Sequence, residues 1–531
     1  MKSIVINHVV FFILIVTFLI MAKPDMTSAG KLKPPSETFR PGDWFLGSTP
    51  PNHDLNKPPI VFVQGKNGSS TSWYGETDYH GVNDMYTKAY EAGYQTVFVQ
   101  LHDSAGNGSA SQYANGRLLA SMLEDISNHF NGEKVNIIAH SKGGPDTQAA
   151  LVHYGAYRYV GRVITLASPH HGSNLADLAY SWYAGWLGSL LGQKDDGTYS
   201  LQVGKMAEFR AATDNHINSR KNMYFTGAGM NRGPALTALS LGGEYLSSYG
   251  ENDGLVNVWS SQLLYAKHLF SDSNLDHDNI RTGSAVFSRI ESYLRSASIA
   301  FVPIMDIQHN LQAEEDKVIT SSLSQTVVGG NLQKNAWNEQ SFVVDEAVPG
   351  TITIYTASKD VEIEVVSPSN KRHSLSPIIH SGKNETSFFH GATIQTFNNS
   401  KLEIGTWKVR LKTNTPKDAF LLTAQFNEKD YITLSMPGKV KQKDAEFFIK
   451  KPLNDKKESV LTTFDVHLID EFGREVSPKP SMYIKDRENF SGKLPEVPKS
   501  GVYNVTIDVK EKRANGPERK RTLIRSVYIE K

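Results

Sequence analysis

The chain has 531 residues, Lys+Arg 56 against Asp+Glu 55, a formal net charge of +1 and no cysteine. Its length suggests about three domains, each large enough to bury a core. The charge balance argues against a nucleic-acid partner, and the lack of cysteine excludes disulfides and thiolate metal sites.

Residues 1–29 read as a signal peptide. Lys2 gives a positive start, Ile4 to Met21 an apolar core, and Thr27-Ser28-Ala29 a small-residue cleavage site. The alternative is an uncleaved anchor, because the apolar run is long. Export is expected either way, to an extracellular location with cell-surface association as an option. No later segment is apolar enough to span a bilayer, so the mature chain is expected to be soluble.

After a Pro-rich entry, strands and helices alternate. Ile60-Val61-Phe62-Val63 and Thr96-Val97-Phe98-Val99 are fully apolar strands, the first running into Gln64-Gly65-Lys66. Leu118, Leu119, Met122, Leu123, Ile126 and Phe130 recur at helical spacing. Val135 to Val152 then reads as strand, tight turn and helix, with Ser141 between the small residues Ala139 and Gly143. That pattern describes a nucleophile elbow, in which small neighbours let helix and strand approach closely beneath a strained serine. Pro145 suits the first helical turn, where a missing N–H costs nothing. The plainer reading is that Ser141 only caps a helix. Arg162 to Leu166 makes a further strand, ending at Ser168-Pro169-His170-His171-Gly172. Apolar strands separated by helices imply a parallel sheet covered on both faces, with ligands at the carboxyl ends of its strands.

The run VNIIAHSKGGPDTQ through ITLASPHHGSNLADL, from Val135 to Leu178, resembles the secreted bacterial triacylglycerol lipases of the α/β-hydrolase fold. Tyr224 to Gly229, and Asn252-Asp253-Gly254-Leu255-Val256-Asn257 to Ser261, resemble the same family. The resemblance spans roughly residues 58–295, within a hydrolase domain placed at 30–298, and departs at Ala139, where the pentapeptide has its first glycine. It implies Ser141 as nucleophile, Asp253 as the acid and His277 as the base, in the chain order of this fold. His268 is the nearest competitor for the base. Asp272, Asp276 and Asp278 compete for the acid, but flank the histidine so closely that a loop-holding role suits them better. The oxyanion hole is expected from the backbone N–H groups of Lys66 and Lys142, with Gln64 standing where the family carries histidine. Some members hold a structural calcium, but the stretch 236–248 offers Glu244 and no aspartate. Asp276 and Asp278 could bind a cation, though solvation of their loop is the favoured reading, and neither metal nor cofactor is expected. Residues 174–191, rich in Leu, Tyr and Trp, read either as a core helix or as a cap over the site.

Beyond Ser298 the period changes to two. Thr351 to Tyr355, Val361 to Val365, Thr406 to Leu411, Phe464 to Ile469 and Tyr503 to Val509 alternate apolar with polar residues. Two β-sandwich modules are expected, at 339–428 and 429–531, the second immunoglobulin-like, with 299–338 as connector. Each is expected to bury its own core. Lys510, Lys512, Arg513, Arg519, Lys520 and Arg521 form a basic hairpin, which is either an attachment site for anionic surfaces or a solvated end.

The expected function is a secreted serine carboxylester hydrolase, a triacylglycerol lipase or esterase, acting on lipid through an acyl-enzyme. A polyhydroxyalkanoate depolymerase is the close alternative, since appended β-modules suit an insoluble polyester. An inactive cell-surface binding protein is the alternative of another class.

Overall fold

The computed structural model describes residues 38–104, 109–192, 194–298, 319–378, 389–428, 432–451, 461–486, 488–512 and 518–531. The signal-like segment 1–29 lies outside the described residues, as does Arg513. No helix among the described residues is long and apolar enough to cross a membrane.

The first part of the chain forms a seven-stranded sheet. Its strands are β1 (Trp44–Leu46), β2 (Ile60–Val63), β3 (Thr96–Val99), β4 (Val135–His140), β5 (Val160–Leu166), β6 (Met223–Gly229) and β7 (Lys267–Asp272). Their order is β1-β3-β2-β4-β5-β6-β7, with β1 antiparallel to β3 and the other neighbours parallel. The helices between and around them are α1 (Met85–Glu91), α2 (Gln112–His129), α3 (Gly143–His153), α4 (Asn174–Ala179), α5 (Gly185–Leu190), α6 (Asp196–Ser200), α7 (Val203–Thr213), α8 (Ala238–Ser247) and α9 (Gly283–Leu294).

Every residue of β2, β3 and β4 is buried, as in strands covered on both faces, and the polar Asn136 and His140 of β4 each find a backbone carbonyl. Ile60 and Phe62 join a core with Met85 of α1 and Ile290 of α9. Val61 and Val63 turn the other way, onto Leu119 and Leu123 of α2 and Leu151 of α3. Each such side chain taken out of water contributes about 1.5–3 kcal/mol. This is the α/β-hydrolase fold expected from the sequence, and the turns after β2, β4 and β5 lie side by side at the carboxyl ends of the central strands.

The C-terminal half consists of largely antiparallel sheets, with one short parallel pairing of Lys439–Lys441 on Arg519–Glu530. One pair of sheets shares a core of Phe342, Ile352, Ile354, Trp407 and Leu422. The second pair is a five-stranded sheet around 446–450 and a four-stranded sheet around 501–512. The stretch expected as connector, 299–338, contains strands of both. Ile319–Leu323 pairs with Ile432–Met436 in the second pair, and Gln325–Leu332 pairs with Asp418–Phe426 in the first. The chain therefore enters the second pair before it builds the first.

A larger departure concerns the cores. The core of the second pair runs without a break into α4, α5 and α8. Leu175, Leu178, Leu187, Leu241 and Tyr245 pack in one cluster with Val505, Ile507, Leu523 and Val527, and with Val327 and Leu421 of the first pair. Polar groups lock the seam. Asp177 of α4 is fully buried and accepts from Ser526 Oγ at 2.5 Å, Ser526 N at 3.2 Å and Val203 N at 3.0 Å. Burial holds its carboxyl above the usual range. Tyr183 donates to Asp508 at 2.5 Å, and the Trp182 ring stacks on His467 with centroids 4.3 Å apart.

In the basic hairpin, the second strand turns its arginines inward. Arg519 and Arg521 are buried and paired with Asp345 and Glu428, and Arg519 also with Glu511. Lys520 pairs with Asp508 at 2.8 Å. These cations tie the second pair of sheets to the first, beside the apolar contacts of Val327 and Leu421.

At the seam, a Cβ on Gly204 of α7 would lie 2.7 Å from the backbone of Val527. Gly204→Ala should therefore lower the melting temperature of the full chain. Overpacking costs about 1–3 kcal/mol, against roughly 1 kcal/mol of helix propensity that alanine brings. A raised melting temperature would show that the strand moves aside.

Candidate active site

Ser141 follows the last residue of β4 with φ 52, in the left-handed region. A residue carrying a Cβ enters that region at a cost of about 1–3 kcal/mol. Its N–H donates to the Leu166 carbonyl at 3.0 Å, which holds the turn against β5. The neighbours must be small. A Cβ on Gly65 would stand 2.8 Å from Ser141 Cβ, and one on Gly143 would stand 2.5 Å from the Gln64 carbonyl oxygen. At Ala139 the extra methyl is accommodated in the apolar layer beneath α2 and α3.

His277 lies between the two other groups singled out with it. Its Nδ1 is 2.8 Å from Asp253 Oδ2 and its Nε2 is 3.0 Å from Ser141 Oγ. A carboxylate only accepts, so Nδ1 carries the hydrogen and the Nε2 lone pair faces the serine hydroxyl. Both His277 and Asp253 are 1% exposed. The second oxygen of Asp253 accepts from Val256 N at 2.7 Å and Leu255 N at 3.0 Å, through a turn in which Gly254 has φ +105. The backbone closes the arrangement, since His277 N donates to the Asp253 carbonyl at 2.9 Å.

The competitors point elsewhere. His268 is bonded to Thr226 and Ser271, each at 2.9 Å, and burial lowers its pKa. Asp272 pairs with Arg289 at 2.7 Å. Asp276 accepts from the backbone of Asp278 and Asn279 and meets His80 Nε2 at 2.6 Å. That contact raises the His80 pKa. Asp278 accepts from Tyr79 N at 2.7 Å and pairs with Arg281 at 2.7 Å. Burial works against its charge, but Arg281 and the N–H donors outweigh burial and hold the carboxyl below the usual range. The two acids beside His277 thus anchor its loop from both sides.

His140 was not singled out from the sequence. Its Nε2 is 2.9 Å from the His277 carbonyl, and burial, with His277 beside it, pushes its pKa well below the ordinary value. It is therefore a neutral prop for the histidine loop. Its position inside an apolar strand is the only sequence signal it carries.

Lys142 follows the serine directly in the chain. Lys142 stands at the N-cap of α3, where backbone N–H groups have no partner within the helix. Lys66 follows Gly65, whose backbone packs against Ser141. Gln64, where histidine was the family pattern, is fully buried, and its amide fits the loop after β3 by donating to Val99 O and accepting from Leu101 N. The Lys66 ammonium reaches Asp195 at 3.1 Å, joining this loop to the segment before α6.

Residues 174–191 form two short helices. Leu175, Leu178, Tyr180 and Leu187 face the C-terminal strands, while Trp186 and Leu190 are exposed. Among the described residues no group of three or more His, Cys, Asp or Glu is placed to hold a metal. Chemically, the arrangement offers a hydroxyl, a base within hydrogen-bond reach of it, and a carboxylate fixing that base.

No protein-family model matches the chain, and no curated protein matches it. Solved structures do. The Bacillus licheniformis lipase BlEst2 in its propeptide form is 32% identical over 92% of this chain and 98% of its own, with a TM-score of 0.71. The mature form of that lipase is 47% identical over 48% of this chain and 99% of its own, with a TM-score of 0.44. With fold, identity and coverage together, the chain belongs to the bacterial lipases of the α/β-hydrolase fold with C-terminal β-sheets, and is a hydrolytic enzyme of the lipase and esterase kind.

Proposed function

We propose that this chain is an exported serine carboxylester hydrolase, a triacylglycerol lipase or esterase, that works through Ser141, His277 and Asp253. The observation that carries the reading is the bridging position of His277, 3.0 Å from Ser141 Oγ and 2.8 Å from Asp253 Oδ2. Ser141 Oγ attacks the ester carbonyl while His277 Nε2 takes its proton. Asp253 holds the ring and stabilises the imidazolium. The carbonyl oxygen, now negative, accepts from the Lys66 and Lys142 N–H groups. His277 then returns the proton to the departing alcohol, leaving an acyl-enzyme that water releases by the same steps. Export rests on the signal-like segment 1–29, and the intact geometry speaks against an inactive binding protein.

A second reading concerns the C-terminal half. The relative that this chain matches along nearly its whole length was crystallised in a propeptide form. Here the apolar faces of α4, α5 and α8 are covered by C-terminal strands and not by the hydrolase sheet. We infer that the full chain is a proform, in which the β-sheets cover surface that a lipid substrate would otherwise meet. If the β-modules instead tethered the enzyme to a particle or surface of substrate, raising its effective concentration there, the behaviour would be the opposite.

Ser141→Ala should leave the fold intact and lower hydrolysis of p-nitrophenyl butyrate by on the order of 10⁵-fold. Adding His277→Ala to that variant should cost little more, because the unit is already broken. A tenth of wild-type activity in Ser141→Ala would sink the assignment. For the proform, the chain cut after Ser298 should hydrolyse a tributyrin emulsion faster than the full chain. A loss on the emulsion, with the soluble ester unaffected, would restore tethering.

A further inference from the structure

Directly beneath the elbow lies a buried charge cluster that the proposed reaction does not use. The Lys142 side chain is wholly buried, with its ammonium 3.0 Å from both carboxylate oxygens of Asp146 and 3.4 Å from Asp103. Asn115 of α2 donates to both carboxylates, reaching Asp146 at 2.8 Å, and Ser109 bonds Asp103. His102 N in turn donates to Asn115 Oδ1 at 3.2 Å. The loop after β3, the first turns of α2 and the first turn of α3 thus converge on one side chain. That side chain belongs to the residue whose N–H faces the reacting oxygen in the proposed mechanism.

We propose that Lys142 is a positioning residue, whose buried clamp to Asp103 and Asp146 aims its own backbone N–H into the oxyanion hole. The inference rests on the serine mechanism proposed above.

Burial of an ammonium and two carboxylates costs several kcal/mol before pairing, and a methionine would fill similar space without that cost. Packing alone therefore does not explain a lysine here. The backbone does. Ser141 sits at φ 52 and Lys142 at φ −53, ψ −26, so the peptide between them changes hand within one residue. No side chain caps this end of α3. Lys142 is held on one side by the strained serine and on the other by its own ammonium.

The charges also leave a surplus. Two carboxylates face one cation, and burial, reinforced by Asp103 and opposed by Lys142, pushes Asp146 up to about 7. Burial works against the charge of Lys142, but Asp103 and Asp146 outweigh it and hold the ammonium protonated. An uncompensated negative charge beneath an oxyanion hole opposes the transition state, so the clamp works best with one shared proton.

The test uses the full chain, p-nitrophenyl butyrate kinetics, melting temperatures and phosphonate labelling followed by mass spectrometry. Asp103→Asn replaces the shared proton with a permanently neutral amide and removes one ionic anchor of the ammonium, and should leave the melting temperature unchanged or raised. It should nevertheless lower kcat by roughly 3- to 10-fold, since removing a whole oxyanion donor costs about 10²–10³-fold and here the donor is only loosened. Lys142→Met should lower kcat by roughly 10- to 100-fold on the same scale, with KM within about threefold. The neutral variant Lys142→Met with Asp103→Asn and Asp146→Asn should regain the wild-type melting temperature without regaining kcat. Recovery of kcat together with stability in that variant, or wild-type kcat in Asp103→Asn, would overturn the clamp. Phosphonate label found elsewhere than Ser141 would overturn the serine mechanism itself, which separates the two failures.

Discussion

Ser141 presents its hydroxyl above the sheet only because its backbone occupies a conformation that its own Cβ resists. Much of the surrounding sequence answers to that fact. Gly65 and Gly143 are glycine because any Cβ there would strike the serine or the Gln64 backbone. Gly144 is glycine because a Cβ would come within 2.3 Å of Ser168 Oγ. The strain is held by placing the turn at the end of β4, near the middle of a sheet buried on both faces. A serine in an edge loop would relax to an ordinary backbone and lose its line to His277.

The same region shows how buried charge is made tolerable. Each ionisable group near the serine has a partner or stays neutral: Asp253 with His277 and two N–H groups, Asp278 with Arg281, His140 without a charge. Loops carrying these groups therefore have few alternative arrangements, since moving one would strand a charge in a dry site. Preorganisation of this kind suits a reaction in which charge develops on a substrate oxygen beside groups already fixed in place.

The centre of the hydrolase sheet was legible because β2 and β3 are short apolar runs and the elbow combines small residues with a strand-to-helix change of pattern. The edge strands β1 and β7, short or largely polar, carry no such signal. Ser141, Asp253 and His277 were legible largely through resemblance; spacing alone left His268 open, and only the distances separate the two histidines. Three things were not legible. The strand Ile319–Leu323 has the composition of a polar connector, and its partner lies more than a hundred residues on, at Ile432–Met436. Arg519 and Arg521 look like surface residues until Asp345 and Glu428 are brought to them by the fold. Apolar residues in α4 and α5 announced burial but not the covering partner, because nothing local in a sequence names a surface that arrives from elsewhere in the chain.

The seam between α4 and the C-terminal strands also sets an order of events during folding. Asp177 and Ser526 are separated by 349 positions, whereas β4 and β5 join across little more than one helix. Loop closure makes the distant contact slow, and the nearby pairing fast. The α/β sheet can thus assemble while Leu175, Leu178 and Tyr245 still face water. In that interval the chain is a folded enzyme with an open greasy flank, prone to self-association at high concentration. Its yield on refolding should therefore be governed by the slow arrival of the β-strands, not by the stability of the sheet that bears the serine.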